Sequence, residues 1–128
     1  MKQLIHRLVV IENNLAKEKG PFWLFALVLP KSSQTGWDLI VAAPWLDSGI
    51  VGLEYVTNLL KSRLTDKEFR QIARVIIYDK FSATLKRAFR EVPKQDGAQE
   101  LRDTTFLGLP VTQGYVIAVG ELEQAAAR

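Results

Sequence analysis

Two carboxylates at the ends of apolar runs are the first residues in this sequence that could do chemistry. Asp47 follows one run and Asp79 follows another, with Lys80 directly after it. If both runs are parallel strands, the two carboxylates lie at the carboxyl edge of one sheet, where α/β folds bind ligands. Converging carboxylates beside a lysine can hold a metal ion and stabilise a phosphate. The alternative, which we favour, is that both aspartates cap helices.

Two aromatic residues extend this candidate pocket. Trp45 lies at the end of the run that precedes Asp47, and Tyr115 lies in the last apolar run of the chain. An indole ring can stack on a ligand, and a phenol adds a hydroxyl group to an apolar wall. The resulting hypothesis is an enzymatic or ligand-binding pocket at the strand ends. The alternative is that both rings form the rim of the hydrophobic core.

The composition excludes most metal sites and most nucleophilic sites. His6 is the only histidine and there are no cysteines, which removes histidine clusters, thiolate zinc sites and thiol nucleophiles. The sequence also lacks a Walker A loop, a Gly-x-Gly-x-x-Gly motif and a Gly-x-Ser-x-Gly elbow. We therefore expect no cofactor and no metal, and we favour a non-enzymatic protein over an enzyme.

A pair of glycines marks the start of a predicted helix. Gly49 and Gly52 lie in the first turn of a helix predicted over residues 49–63, directly after Asp47 and Ser48. Free amides at the start of a helix can bind an anion. We favour the simpler interpretation, which is a helix cap with close packing around the glycines.

Positive charge is concentrated in one segment of the chain. The net charge is +3, but residues 61–94 carry ten Lys or Arg and four acids, and the rest of the chain has a net charge of −3. A helix predicted over residues 82–92 has one apolar face and one basic face, so it is amphipathic. The residues predicted to bind a partner are Lys86, Arg87, Arg90, Lys94, Arg70 and Arg74.

This basic surface suits an acidic partner. The leading hypothesis is a small binding or adaptor domain that presents the helix over residues 82–92 to an acidic protein surface. The alternative is a nucleic-acid-binding protein that uses the same groups on phosphates. An ordinary solvated helix face would also explain the pattern. Val10 lies near the polar side of the first predicted helix. We favour the interpretation that the apolar stripe of this helix is wide, and the alternative is a contact with a second copy of the chain.

Alternating helices and strands position these residues. Apolar runs over residues 22–29 and 37–43 predict two central strands that helices must cover. Residues 74–78 fit a strand or a helix, and their β-branched side chains favour a strand. We predict a single α/β domain over residues 1–128, with α+β as the alternative. It is a sandwich of a mixed four- to five-stranded sheet and helices, in the order α-β-β-α-(α)-β-α-β-β.

The remaining segments complete the prediction. Apolar residues cover most of the helix over residues 49–63, which should therefore be largely buried. Thr65 and Glu68 have the capping-box spacing that starts a short helix. Residues 94–103 resemble a polar connection, and residues 121–128 a last helical turn or a frayed tail. There is neither a signal-peptide pattern nor a run of transmembrane length, so we expect a cytoplasmic location.

Overall fold

The computed structural model describes residues 2–33, 35–79 and 99–119. Helices and strands alternate in this part of the chain, and a mixed five-stranded sheet with helices packed on it confirms the predicted fold class. The elements are α1 (Lys2–Lys19), β1 (Leu24–Pro30), β2 (Trp37–Ala42), α2 (Ile50–Arg63), α3 (Asp66–Arg70), β3 (Ile72–Ile77), β4 (Gln99–Phe106) and β5 (Leu109–Val119).

The sheet has the strand order β3-β2-β1-β5-β4, so β1 lies at its centre. The strand β1 pairs antiparallel with both β2 and β5, and β4 pairs antiparallel with β5. The strands β2 and β3 are parallel, and α2 and α3 form the connection between them. Parallel neighbours need such a crossover because a tight turn can only reverse the chain direction.

Both faces of the two central strands are buried. All of β2 and all of β1 except Leu29 are inaccessible to solvent. Phe25 and Leu27 pack on the face that α1 and α2 cover, whereas Ala26 and Val28 pack on the opposite face with Phe106. Each such Leu, Val or Phe stabilises the fold by roughly 1.5–3 kcal/mol. This two-sided burial explains why the sequence of β1 contains no polar side chain.

The helix α1 lies on the sheet through one stripe of side chains. Its buried residues are Leu4, Leu8, Ile11 and Leu15, which recur at the three- and four-residue spacing of a helix face. The helix ends at Lys19, and the following Gly20 has a φ of 119°, in the left-handed region that glycine tolerates. Val10 lies outside the stripe and 45% of its surface is exposed.

The helix α2 is less buried than its sequence predicts. Its buried residues are Gly52, Val56 and Leu60, whereas Ile50 and Val51 are 66% and 69% exposed. The prediction of a largely buried helix was wrong because α2 contacts the core along a single stripe. Apolar residues on the rest of its circumference remain in contact with solvent.

The segment after α2 folds as its local sequence predicts. Thr65 and Glu68 form a complete capping box at the start of α3, and residues 72–77 form the strand β3. The capping box satisfies free amides at the helix start, and the β-branched residues that follow favour a strand. The strand interpretation of residues 74–78 is thereby confirmed for residues 74–77.

The strand β4 begins earlier than the sequence predicts. Residues 99–103, predicted to be part of a polar connection, belong to β4, and β5 begins at Leu109. The two strands are joined by Leu107 and Gly108, which have φ values of 55° and 81°. A type I′ hairpin turn has positive φ at both of its central positions, which glycine tolerates and leucine rarely adopts. Gly108 therefore marks the chain break that the sequence predicts at residues 108–110, whereas Leu107 gives no sign that it belongs to the turn. The predicted helix over residues 82–92 and the predicted tail lie outside the described residues.

Candidate functional site

The carboxylates of the predicted pocket follow strands that end at the same edge of the sheet. Because β2 and β3 are parallel, the segments containing Asp47 and Asp79 both leave the sheet at its carboxyl edge. Oδ2 of Asp47 accepts hydrogen bonds from the backbone amides of Gly49, at 3.2 Å, and Gly52, at 3.4 Å. Asp47 thus satisfies amides at the start of α2. Lys80 lies outside the described residues.

The two aromatic residues of the predicted pocket lie in different places. Trp45 donates a hydrogen bond from Nε1 to the carbonyl of Gly20 at 2.8 Å, which ties the segment after β2 to the end of α1. Tyr115 packs against Trp37, with ring centroids 6.0 Å apart. Trp37 begins β2 and Trp45 follows its end, a span of about 20 Å at the usual strand rise. The structure does not bring Tyr115 and Trp45 together.

Arg74, one of the predicted partner-binding residues, is paired within the chain. Its Nε and Nη2 donate to the two carboxylate oxygens of Asp38 at 3.0 and 2.7 Å. These hydrogen bonds and the charge of Asp38 raise the pKa of Arg74. Arg70 is exposed in the last turn of α3. Lys86, Arg87, Arg90 and Lys94 lie outside the described residues.

A basic groove that the sequence did not indicate runs along the first half of α1. It consists of two adjoining depressions, of about 570 and 370 Å³, which share Lys2, Gln3 and Arg7. We call it the α1 groove. The first depression is lined by Lys2, Gln3, His6, Arg7, Val10, Ile11 and Arg63. The second is lined by Lys2, Gln3, Leu4, Arg7, Thr65, Lys67, Glu68 and Gln71.

Positive charge predominates among the residues that line the α1 groove. Lys2, Arg7, Arg63 and Lys67 line the two depressions, and Glu68, in the second depression, is the one carboxylate among the described lining residues. The first turn of α1 contains no acidic residue. The partial positive charge at the start of a helix therefore adds to the four cations. Such a surface attracts anionic groups from solution.

Glu68 links Arg7 of α1 to the backbone at the start of α3 through two hydrogen bonds. Its Oε1 accepts a hydrogen bond from the backbone amide of Thr65 at 2.9 Å, and its Oε2 accepts one from Nε of Arg7 at 2.8 Å. Only 7% of the Glu68 side chain is exposed, against 51% of the Arg7 side chain. The backbone hydrogen bond from Thr65 lowers the pKa of Glu68; burial opposes this, and Arg7 adds to the lowering.

The lowered pKa of Glu68 predicts an acid-sensitive contribution to stability. A depressed pKa in the folded state stabilises the fold above the ordinary value of 4.5, and the contribution disappears as the pH falls through the folded-state pKa. Glu68→Gln should therefore be less stable than wild type near pH 7, and the difference should shrink as the pH falls below 4.5 and Glu68 becomes protonated. Urea denaturation at a series of pH values measures it. The exposed Glu18→Gln should follow the wild-type curve, and a Glu68→Gln curve parallel to wild type would contradict the assignment.

Comparison of the chain with protein-family models, with curated proteins and with solved structures gives no match. Among the described helices, none is long and apolar enough to cross a membrane. Within the same residues, no three His, Asp or Glu side chains converge as metal ligands would. The function must therefore be argued from the α1 groove itself.

Proposed function

We propose that this protein is a small binding domain that recognises an acidic protein partner through the α1 groove. The observation that carries the proposal is that four cations line two adjoining depressions, whereas the one lining carboxylate, that of Glu68, is already paired with Arg7. Cations at the rim of an interface accelerate association with an acidic partner and select against basic ones. The affinity would then come from several carboxylates of the partner that bind the cations of the groove at the same time.

The apolar part of the groove favours a protein partner over a nucleic acid. Val10 and Ile11 line the larger depression, and 45% of Val10 is exposed. A peptide can bury an apolar side chain there while neighbouring carboxylates meet Lys2 and Arg63. A phosphate backbone has no side chain for such a contact.

The basic segment predicted from the sequence is compatible with this proposal. Lys86, Arg87, Arg90 and Lys94 would add charge of the same sign wherever the partner extends beyond the groove. Recognition of the partner by this segment stays a prediction, and charge reversal at residues 86, 87 and 90 tests it.

The test is titration of the purified protein into labelled probes, followed by fluorescence anisotropy. The probes are a peptide with one leucine between two runs of three glutamates, and single-stranded and duplex oligonucleotides. We expect the peptide to bind, and the affinity to fall between about 50 and 200 mM salt as ionic contacts are screened. Stronger binding to an oligonucleotide, with a steep salt dependence, would favour the nucleic-acid alternative.

Charge reversal locates the binding surface. Lys2→Glu combined with Arg63→Glu should weaken peptide binding by at least about tenfold, because both cations of the larger depression become repulsive. Lys17→Glu with Lys31→Glu gives the same change in net charge at exposed positions outside the groove. Equal losses in the two double variants would contradict a role for the groove. A larger loss in Lys86→Glu/Arg87→Glu/Arg90→Glu would place recognition on the basic segment.

A further inference from the structure

Arg7 lies where the two depressions of the α1 groove meet, and its guanidinium is only partly used by the fold. A guanidinium carries five N–H donors, one on Nε and four on the two Nη atoms. Nε donates to Oε2 of Glu68 at 2.8 Å. Within the described part of the chain, Nη1 and Nη2 make no hydrogen bond, and 51% of the side chain is exposed.

The partner of Arg7 is itself fixed in position. The carboxylate of Glu68 is 7% exposed, and its second oxygen accepts from the amide of Thr65. The Thr65 hydroxyl in turn accepts from the amide of Glu68 at 3.1 Å, which closes the capping box of α3. The hydrogen bond to Glu68 therefore ties Nε of Arg7 to a carboxylate that the backbone of α3 holds in place.

From this geometry we infer that Arg7 is the anchor for one carboxylate of the acidic partner, and that Glu68 is the residue that positions it. The inference rests on the proposed function and adds the point of recognition. With Nε held by Glu68, the two Nη atoms can donate parallel hydrogen bonds to the two oxygens of one carboxylate. Such a pair requires the planar fork of arginine, which lysine lacks.

The inference also describes the acidic segment that would bind. Arg7 and Val10 are three residues apart on α1, so they lie on the same face of the helix. A carboxylate on Arg7 thus places its neighbours close to the exposed side of Val10. The partner we infer is a segment with an apolar side chain beside its anchoring carboxylate.

The variant Glu68→Gln separates this inference from a purely structural role for the Arg7–Glu68 pair, because the two predict opposite changes in peptide affinity. Glu68→Gln removes a negative charge from the groove, so attraction by overall charge alone would tighten the binding of an acidic peptide. If Glu68 positions Arg7, the same variant should weaken binding, because the guanidinium loses its fixed orientation. The direction of the change in Kd separates the two explanations.

The experiment compares three single variants with wild type, using the glutamate–leucine peptide at about 50 mM salt and pH 7. We expect Glu68→Gln to weaken binding at least about fivefold, because the arginine side chain must then be ordered on binding. Asp66→Asn, which removes an exposed charge from the same helix, should bind as tightly as wild type or more tightly. Arg7→Lys keeps the charge and can still pair with Glu68, and it should weaken binding about tenfold because the fork is lost.

Each outcome bears on a different claim. Binding by Glu68→Gln as tight as that of Asp66→Asn, or unchanged binding by Arg7→Lys, would overturn the inference and leave the proposed function intact. Absence of peptide binding by the wild-type protein would overturn the proposed function, and the inference with it. Circular dichroism of each variant at the assay temperature shows whether it is folded. If Glu68→Gln is not, Arg7→Lys decides the question.

Discussion

Gly52→Ala should destabilise the protein by roughly 2 kcal/mol or more, although alanine normally stabilises a helix relative to glycine by about 1 kcal/mol. A Cβ atom at position 52 would overlap the backbone oxygen of Asp47 and lie 2.7 Å from its carbonyl carbon. Real Cβ atoms do not approach other heavy atoms so closely. Because the obstructing atoms belong to the backbone, no side-chain rotation relieves the clash, and the segment before α2 must move.

That movement would also cost hydrogen bonds. Asp47 would lose its contacts with the amides of Gly49 and Gly52, which are part of the start of α2. Urea denaturation of Gly52→Ala beside Asn58→Ala gives the measurement, because Asn58 is exposed on the same helix. The control should change the free energy of unfolding by no more than about 0.5 kcal/mol. Equal stabilities of the two variants would show that the segment does not pack on α2 in this way.

The sequence predicts much of this region because its signals are local. Asp47 precedes the helix at a capping distance, and Gly49 and Gly52 mark a place where the backbone comes close. The capping box of Thr65 and Glu68 is equally local, and it is confirmed. Two-sided burial of β1 could be predicted for the same reason, since the eight consecutive apolar residues from Phe22 to Leu29, closed by a proline, have few alternatives.

The α1 groove could not be predicted from the sequence because its charges are distant in the chain. Lys2 and Arg7 come from α1, whereas Arg63 and Lys67 come from the end of α2 and from α3. Local periodicity shows which residues of a helix are polar. It does not show that the end of α2 and the helix α3 lie beside the first half of α1, because that depends on how the helices pack on the sheet. The only available signal was a first turn of α1 that is basic where acidic residues are usual.

Asp38 is the second residue with a large expected effect. It is 2% exposed, although it is the second residue of the otherwise apolar strand β2, and both of its oxygens are bound by Arg74 of the neighbouring strand. Arg74→Met would leave this carboxylate buried without its partner. We expect a loss of about 2–3 kcal/mol, somewhat less than for a fully enclosed pair, because 61% of the Arg74 side chain is exposed.

The register of the sheet suggests why a charged pair occurs here. Trp37 pairs with Ile72 and Asp38 pairs with Arg74, so Ala73 is skipped and the β2–β3 ladder is irregular at this point. A slip of one residue would move Arg74 to the other face and leave Asp38 unpaired. The pair therefore favours one register of β3 over its neighbours, whatever its net contribution to stability.

A double-mutant cycle separates these two roles of the pair. Asp38→Val combined with Arg74→Met replaces the ions with apolar side chains and should recover most of the stability that Arg74→Met loses, because no buried charge remains. Free energies of unfolding from urea titration give the coupling between the two positions. If the double variant is as unstable as Arg74→Met alone, the buried charge is not the cause of the loss. Recovered stability together with broadened amide resonances in β3 would show that the ion pair contributes register rather than net stability.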